Sequence, residues 1–164
     1  MTLNFSETIM RKTVAVLAAG TLTGAVDLLG AFASYSSQGA TVDGILKYIA
    51  GGLLGPTAMQ GGIGTALLGL LFHFALTTGM AGVYMLAAIK IDTLIKHPWI
   101  SATIYGVITW AVMVYVVVPL SGVVGWKLPT GWSIVSGLLG HIFYVGIPIA
   151  HIIKYGLRDL IKPL

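Results

Sequence analysis

Apolar residues in this chain neither alternate nor keep to one stripe; they form long continuous runs. Between Lys47 and Lys90 there is no Asp, Glu, Lys or Arg, and the same holds from Lys96 to Lys127 and from Lys127 to Lys154. A helix needs about 20 mostly apolar residues to cross a bilayer. Runs of this length predict four spanning helices, near residues 13–35, 62–88, 99–126 and 133–153. Lipid admits only helices or closed barrels, and barrel strands would alternate, so helices are expected. The first run also imitates a signal peptide. Arg11 and Lys12 precede it, and Ala31-Phe32-Ala33 has the form of a cleavage site. Its length and its Asp27 favour a span.

The expected fold is therefore all-α integral membrane, a four-transmembrane-helix bundle forming a single domain over residues 1–164. The second connection, 89–98, is short and basic, and the third is tight, with Lys127, Pro129 and Gly131. The first, 36–61, is longer. Asp43 is expected to cap a short helix there, with Ile45, Leu46, Ile49 and Leu53 on one face and Lys47 off it. Gly51, Gly52, Gly55 and Pro56 would break it. Such a segment is an interfacial helix, a shallow re-entrant turn or a packed outer loop. Trp99, Trp126, Trp132 and Tyr35 fall at span ends, where interfacial aromatics belong.

Charge strengthens the membrane reading. The chain has nine Lys or Arg and five Asp or Glu among 164 residues, with mean hydropathy +0.94. A soluble domain carries about a quarter charged residues. The net charge of +4 is not clustered on a soluble face, so no nucleic-acid partner is expected. Arg11, Lys12, Lys90, Lys96, Lys154, Arg158 and Lys162 share one side, against Lys47 and Lys127 on the other. The positive-inside rule then puts both termini in the cytoplasm. Arg11, Lys12, Lys154, Arg158 and Lys162 are the expected interface basic residues, near lipid phosphates. Without Cys there is no disulfide, thiolate metal site or Cys nucleophile. The sequence also lacks P-loop, GxGxxG, HExxH and GxSxG motifs, so no catalytic residue is assigned.

Inside the runs, Gly20 and Gly24 form a GxxxG on the same side as Thr23, Asp27, Ala31 and Ser34. Gly69 joins a stripe with Ala66, His73, Thr77 and Tyr84, and Gly137 and Gly140 one with His141, Tyr144, Pro148 and His151. Small residues let helices approach where lipid offers no hydrophobic drive, so intrachain packing is the first reading of these glycines. Asp27, His73 and His141 are ionisable groups at membrane depth, which usually face a bundle interior. Counted from the basic ends of the predicted spans, they lie roughly 21, 22 and 18 Å deep. One carboxyl and two imidazoles thus share a level, with Thr23, Thr77 and Tyr144 as supporting groups. The layer is a structural hydrogen-bond cluster, or a proton or solute site. Facing histidines at one depth also raise haem, and with Asp27 a metal, with His73 and His141 as ligands; no motif supports either, and no cofactor is expected. His97 should be solvated and His151 should cap or snorkel at the interface.

Three stretches carry a resemblance: Gly20–Asp27 (GTLTGAVD), the second span's LLGLLFHF, and the last span from Gly140-His141 to KYGLRDL. In these and in architecture the chain resembles a group of small bacterial inner-membrane proteins, the YagU-like group, from which it departs in a shorter cytoplasmic C-terminus. The resemblance implies a bacterial inner membrane and four spans, and no mechanism. The expected role is a structural or accessory subunit of a membrane assembly, as a homo-oligomer or within a larger complex in the lipid bilayer. A small channel or transporter built on Asp27, His73 and His141 is the alternative, and a haem-binding electron carrier the second.

Overall fold

A computed structural model describes residues 4–123 and 125–158. Four of its helices are long and apolar enough to cross a membrane: α1 (Phe5–Ser36), α3 (Ile63–Ala88), α5 (Pro98–Leu120) and α6 (Trp132–Leu157). Two short α-helices, α2 (Val42–Leu54) and α4 (Thr93–Lys96), and a 3-10 helix at Gly55–Gln60 lie in the connections, and no strand occurs among the described residues. The chain is a multi-pass, all-helical protein suited to a bilayer.

Helix ends differ from the hydropathy reading where local chemistry intervenes. α1 begins two turns earlier because of a capping box: Glu7 N–H donates to Asn4 Oδ1 at 2.8 Å, and Asn4 N–H to Glu7 Oε2 at 2.9 Å. α2 is capped by Thr41, whose hydroxyl accepts from Gly44 N–H at 3.1 Å. Asp43 instead pairs with Lys47 one turn on, at 2.6 Å. Lys47 does not stand clear of the helix; its side chain is only 14% exposed. α5 stops six residues short of the expected end. Its backbone turns extended at Ser121, and Gly122 N–H donates to Gly52 O at 3.1 Å. Trp126 consequently sits in the following loop.

That last bond belongs to a close junction. α2 crosses α3 with the Leu46 carbonyl against Gly69, where a Cβ would collide. Gly122 meets the backbone of Gly51 and Gly55 on the other flank of the same helix. Gly55 itself has φ +65, a left-handed conformation natural to glycine, and it ends α2.

α5 and α6 each contain a π-helical turn two residues before a proline: Met113–Val117 before Pro119, and His141–Gly146 before Pro148. A proline has no N–H to donate and its ring crowds the preceding turn. The residue just before it closes the wide turn instead: Val118 N–H bonds Met113 O, and Ile147 N–H bonds Ile142 O. The turn in α6 also changes which face is buried. From its last two residues onward, Val145, Gly146, Ile149, Ala150, Ile153 and Leu157 are buried, whereas the stripe Gly137–Gly140–His141–Tyr144 is at most half-buried. One residue inserted into a 3.6-residue period rotates everything after it by about 100°. A stripe drawn straight through cannot stay on one face.

The core occupies the end that holds the chain termini. Ala15 and Ala19 of α1, Ala81, Tyr84, Met85 and Ala88 of α3, Ala102 of α5 and Ile149, Ile153 and Leu157 of α6 meet there. Tyr84 O–H donates to Leu94 O at 3.1 Å, and Tyr105 O–H to Met80 O at 2.7 Å. These rings pack edge to face at 5.0 Å, tying α3, the α4 turn and α5 together.

Candidate functional site

Asp27, His73 and His141 come from three helices and meet at one level. Asp27 lies nine residues before the end of α1, His73 ten after the start of α3 and His141 nine after the start of α6. At the helical rise this is roughly 14–15 Å from the end that carries α2, the middle of a typical bilayer.

α1 and α3 approach through the glycine pair. A Cβ on Gly20 would collide with Thr78, and one on Gly24 would stand 2.7 Å from Phe74 and 2.8 Å from Thr77 Oγ1. Close approach exposes the α1 carbonyls to α3 side chains. Thr77 O–H donates to Gly20 O at 2.9 Å, and His73 Nε2 lies 3.0 Å from Gly24 O. A carbonyl only accepts, so His73 carries its proton on Nε2. The same nitrogen is 3.9 Å from Asp27 Oδ2. His73 is buried, while the Asp27 side chain keeps 28% exposure.

His141 opens the π turn of α6. Its Nδ1 lies 3.0 Å from Gly137 O, which puts the proton on Nδ1 and leaves Nε2 with a lone pair in the neutral ring. Asp27 is within electrostatic reach of both His141 and His73. Tyr144, in the same π turn, lays its ring against Gly30 of α1, one turn beyond Asp27. Thr23, one turn before Asp27, is fully buried, and its Oγ1 has no hydrogen-bond partner.

Other residues singled out by sequence serve local packing. Gly69 receives α2, and Gly137 lies under the Trp110 indole, 2.9 Å from a Cβ placed there. Gly140 meets nothing nearer than the Tyr144 ring at 3.8 Å. His151 does not snorkel: Nδ1 sits 2.9 Å from Ile147 O, its ring packs on Trp99 at 4.4 Å, and its buried Nε2 has no partner. His97 is exposed, its backbone displaced from the helix by Pro98. Lys162 lies outside the described residues; Arg11 and Arg158 are exposed and Lys12 and Lys154 half-buried at the terminal end.

Sequence reasoning missed the contact of α5 with α6. A Cβ on Gly106 would be 2.6 Å from Ile142 Cα and 2.8 Å from His141 O, and one on Gly146 would collide with Ala102 O. No glycine stripe announces this junction, because Gly106 stands alone in its span and Gly146 lies within the π turn.

The arrangement can hold helices together, and it can hold a proton between a carboxyl and two imidazoles. Among the described residues, no three His, Asp or Glu are disposed to hold a metal ion. His73 Nε2, the nitrogen a haem iron would take, is turned onto Gly24 O. Comparison with protein-family models, curated proteins and solved structures found no match to this chain.

Proposed function

We propose that the protein is a structural or accessory subunit of a membrane assembly, held in register by the Asp27–His73–His141 layer and completed by a partner against α5 and the open side of α6. The observation that carries this reading is a carboxylate at mid-membrane depth with more than a quarter of its side chain uncovered. Ionisable groups at that depth face protein or water, because hydrocarbon solvates them poorly. The helices that flank the layer are sparsely covered too. On α5 only Pro98, Ser101, Ala102, Gly106 and Thr109 are buried, and no residue from Met113 to Leu120 is. No residue of α6 before the π turn is buried. The bacterial inner membrane, the cytoplasmic termini and the YagU-like resemblance belong to this reading.

The test is purification from the native membrane in mild detergent, with an absorption spectrum and identification of co-purifying polypeptides. A colourless protein with stoichiometric partners, lost when bulky residues replace Ile104 and Ile108 on α5, is the expected result. A protein that elutes alone refutes it. A Soret band removed by His73→Ala would replace it with the electron-carrier reading.

Thr23 favours a second reading, a small conduit for protons or a small solute. Its orphan hydroxyl, one turn from Asp27, is a buried hydrogen-bonding group that a water or a passing ligand would satisfy. On this reading Asp27→Asn abolishes pH-dependent flux in liposomes while thermal stability is retained. On the subunit reading the variant changes stability and assembly, and there is no flux to lose.

A further inference from the structure

At the terminal end, α1 and α6 leave a groove of about 400 Å³ between them. Its walls are Val14, Ala15 and Ala18 from α1 and Ile152 and Gly156 from α6, with Arg11 and Arg158 at its rim. Gly156 sets its width, since a Cβ there would collide with Ala15. That apposition puts residue 156 level with residue 15, so Arg11 and Arg158 leave their helices at nearly the same height. Arg158 is held over the Tyr155 ring, 4.0 Å from its centroid, and both residues border the groove. Val14 and Tyr155 are 59% and 65% exposed, so the groove opens sideways toward the bilayer.

We propose that this groove is a binding site for one anionic phospholipid, its phosphate bridged by Arg11 and Arg158 and an acyl chain lying along Val14, Ala18 and Ile152. Three features choose this occupant. The walls are apolar and the rim cationic, which matches an amphiphile with an anionic head. The rim lies at the ends of two spanning helices, where lipid phosphates sit. The charges around it are lopsided: Arg11, Lys12, Lys154 and Arg158 against Glu7 among the described residues 4–18 and 150–158. Both arginines have partners within the chain, so the argument rests on the apolar cleft they flank and the sign of the field, not on idle charge. Guanidinium groups bind phosphate oxygens in pairs, and two converging on one phosphate give a site that a zwitterionic lipid satisfies less well. The α3–α5 cavity makes the contrast. It holds about 380 Å³ and is lined by residues such as Leu76, Met80, Tyr105 and Val112, with no charged side chain to select an occupant. The proposal stands apart from the reading of the Asp27 layer.

The test is thermal unfolding of the detergent-purified protein with added phosphatidylglycerol or phosphatidylcholine, and native mass spectrometry of the retained lipid. Phosphatidylglycerol should raise the midpoint and stay bound, while phosphatidylcholine and inorganic phosphate should do neither. Arg11→Gln with Arg158→Gln should weaken phosphatidylglycerol binding at least about tenfold. Val14→Trp, which fills the cleft from an exposed position without touching charge, should do the same and serves as the probe if the double variant does not fold. Equal binding of the two lipids overturns the proposal. So does phosphatidylglycerol binding that survives Val14→Trp.

Discussion

Gly106→Ala adds one methyl to the α5–α6 junction. The new Cβ would stand 2.6 Å from Ile142 Cα, 2.8 Å from His141 O and 2.9 Å from Ile142 N. Carbon atoms rest at about 3.5–4.0 Å, so α5 and the π turn must part by about 1 Å. All three contacted atoms are backbone, so no side chain can swing aside. Overpacking of this kind costs about 1–3 kcal/mol. Gly79→Ala on α3 is the control, because nothing lies within 4 Å of its Cβ. It should be neutral, or stabilising by up to about 1 kcal/mol, since alanine is the better helix former. The assay is unfolding in mixed micelles by titration with sodium dodecyl sulfate, followed by tryptophan fluorescence. Because the junction carries His141, Gly106→Ala should also displace that ring and broaden its NMR signals, which Gly79→Ala should not. Gly106→Ala combined with Gly146→Ala should cost less than the sum of the two, as both open the same contact. If Gly106→Ala and Gly79→Ala agree within about 0.5 kcal/mol, the junction is not close-packed and the reasoning fails.

Thr77→Val removes the hydrogen bond to Gly20 O and keeps the side-chain shape, so it should cost about 0.6–1.7 kcal/mol in the same titration. No loss would mean that the glycine approach holds α1 to α3 unaided. Thr41→Ala removes the cap of α2 and should cost about 0.5–2 kcal/mol, with faster amide exchange in the first turn of that helix. Burial first, and the neighbouring Tyr35 second, push the Tyr48 phenol above its ordinary value of 10.0. The folded state therefore holds this proton more tightly than the unfolded chain. The resulting stability is complete below pH 10 and is lost as pH rises through the folded value. A difference titration at 295 nm against Tyr48→Phe should show late ionisation, and ionisation at or below 10 would contradict it.

Depth along a span was legible in the sequence because rise per residue is fixed. Asp27, His73 and His141 could be set at one level by counting. Rotation about the helix axis was less legible. It depends on every residue keeping the 3.6 period, and the wide turn at His141 breaks that period for all that follows. Pro148 was the local signal, yet a proline alone does not say whether a helix kinks, widens or ends. Pro98 starts a helix, while Pro119 and Pro148 widen one. The end of α5 was hidden for another reason. Its last bond is made by Gly52, seventy residues away, and hydropathy carries no trace of a partner so distant. Thr41 outranks Asp43 as a cap only because of where the helix starts, which a window of apolar residues locates no better than a turn.

The bond from Gly122 to Gly52 also bears on how the protein is made. Apart from the contacts of residues 121–123, what positions α2 is present once α3 has been synthesised: the cap at Thr41, the ion pair of Asp43 with Lys47, and the seat on Gly69. The emerging chain can therefore dock α1, α2 and α3 as a unit while the ribosome is still decoding α5. That unit lacks its last clasp until the third crossing delivers Gly122 to the end of the bundle that carries α2. Arrival of α5 is thus registered at the first loop, and a nascent chain stalled before residue 122 should leave that loop open to protease.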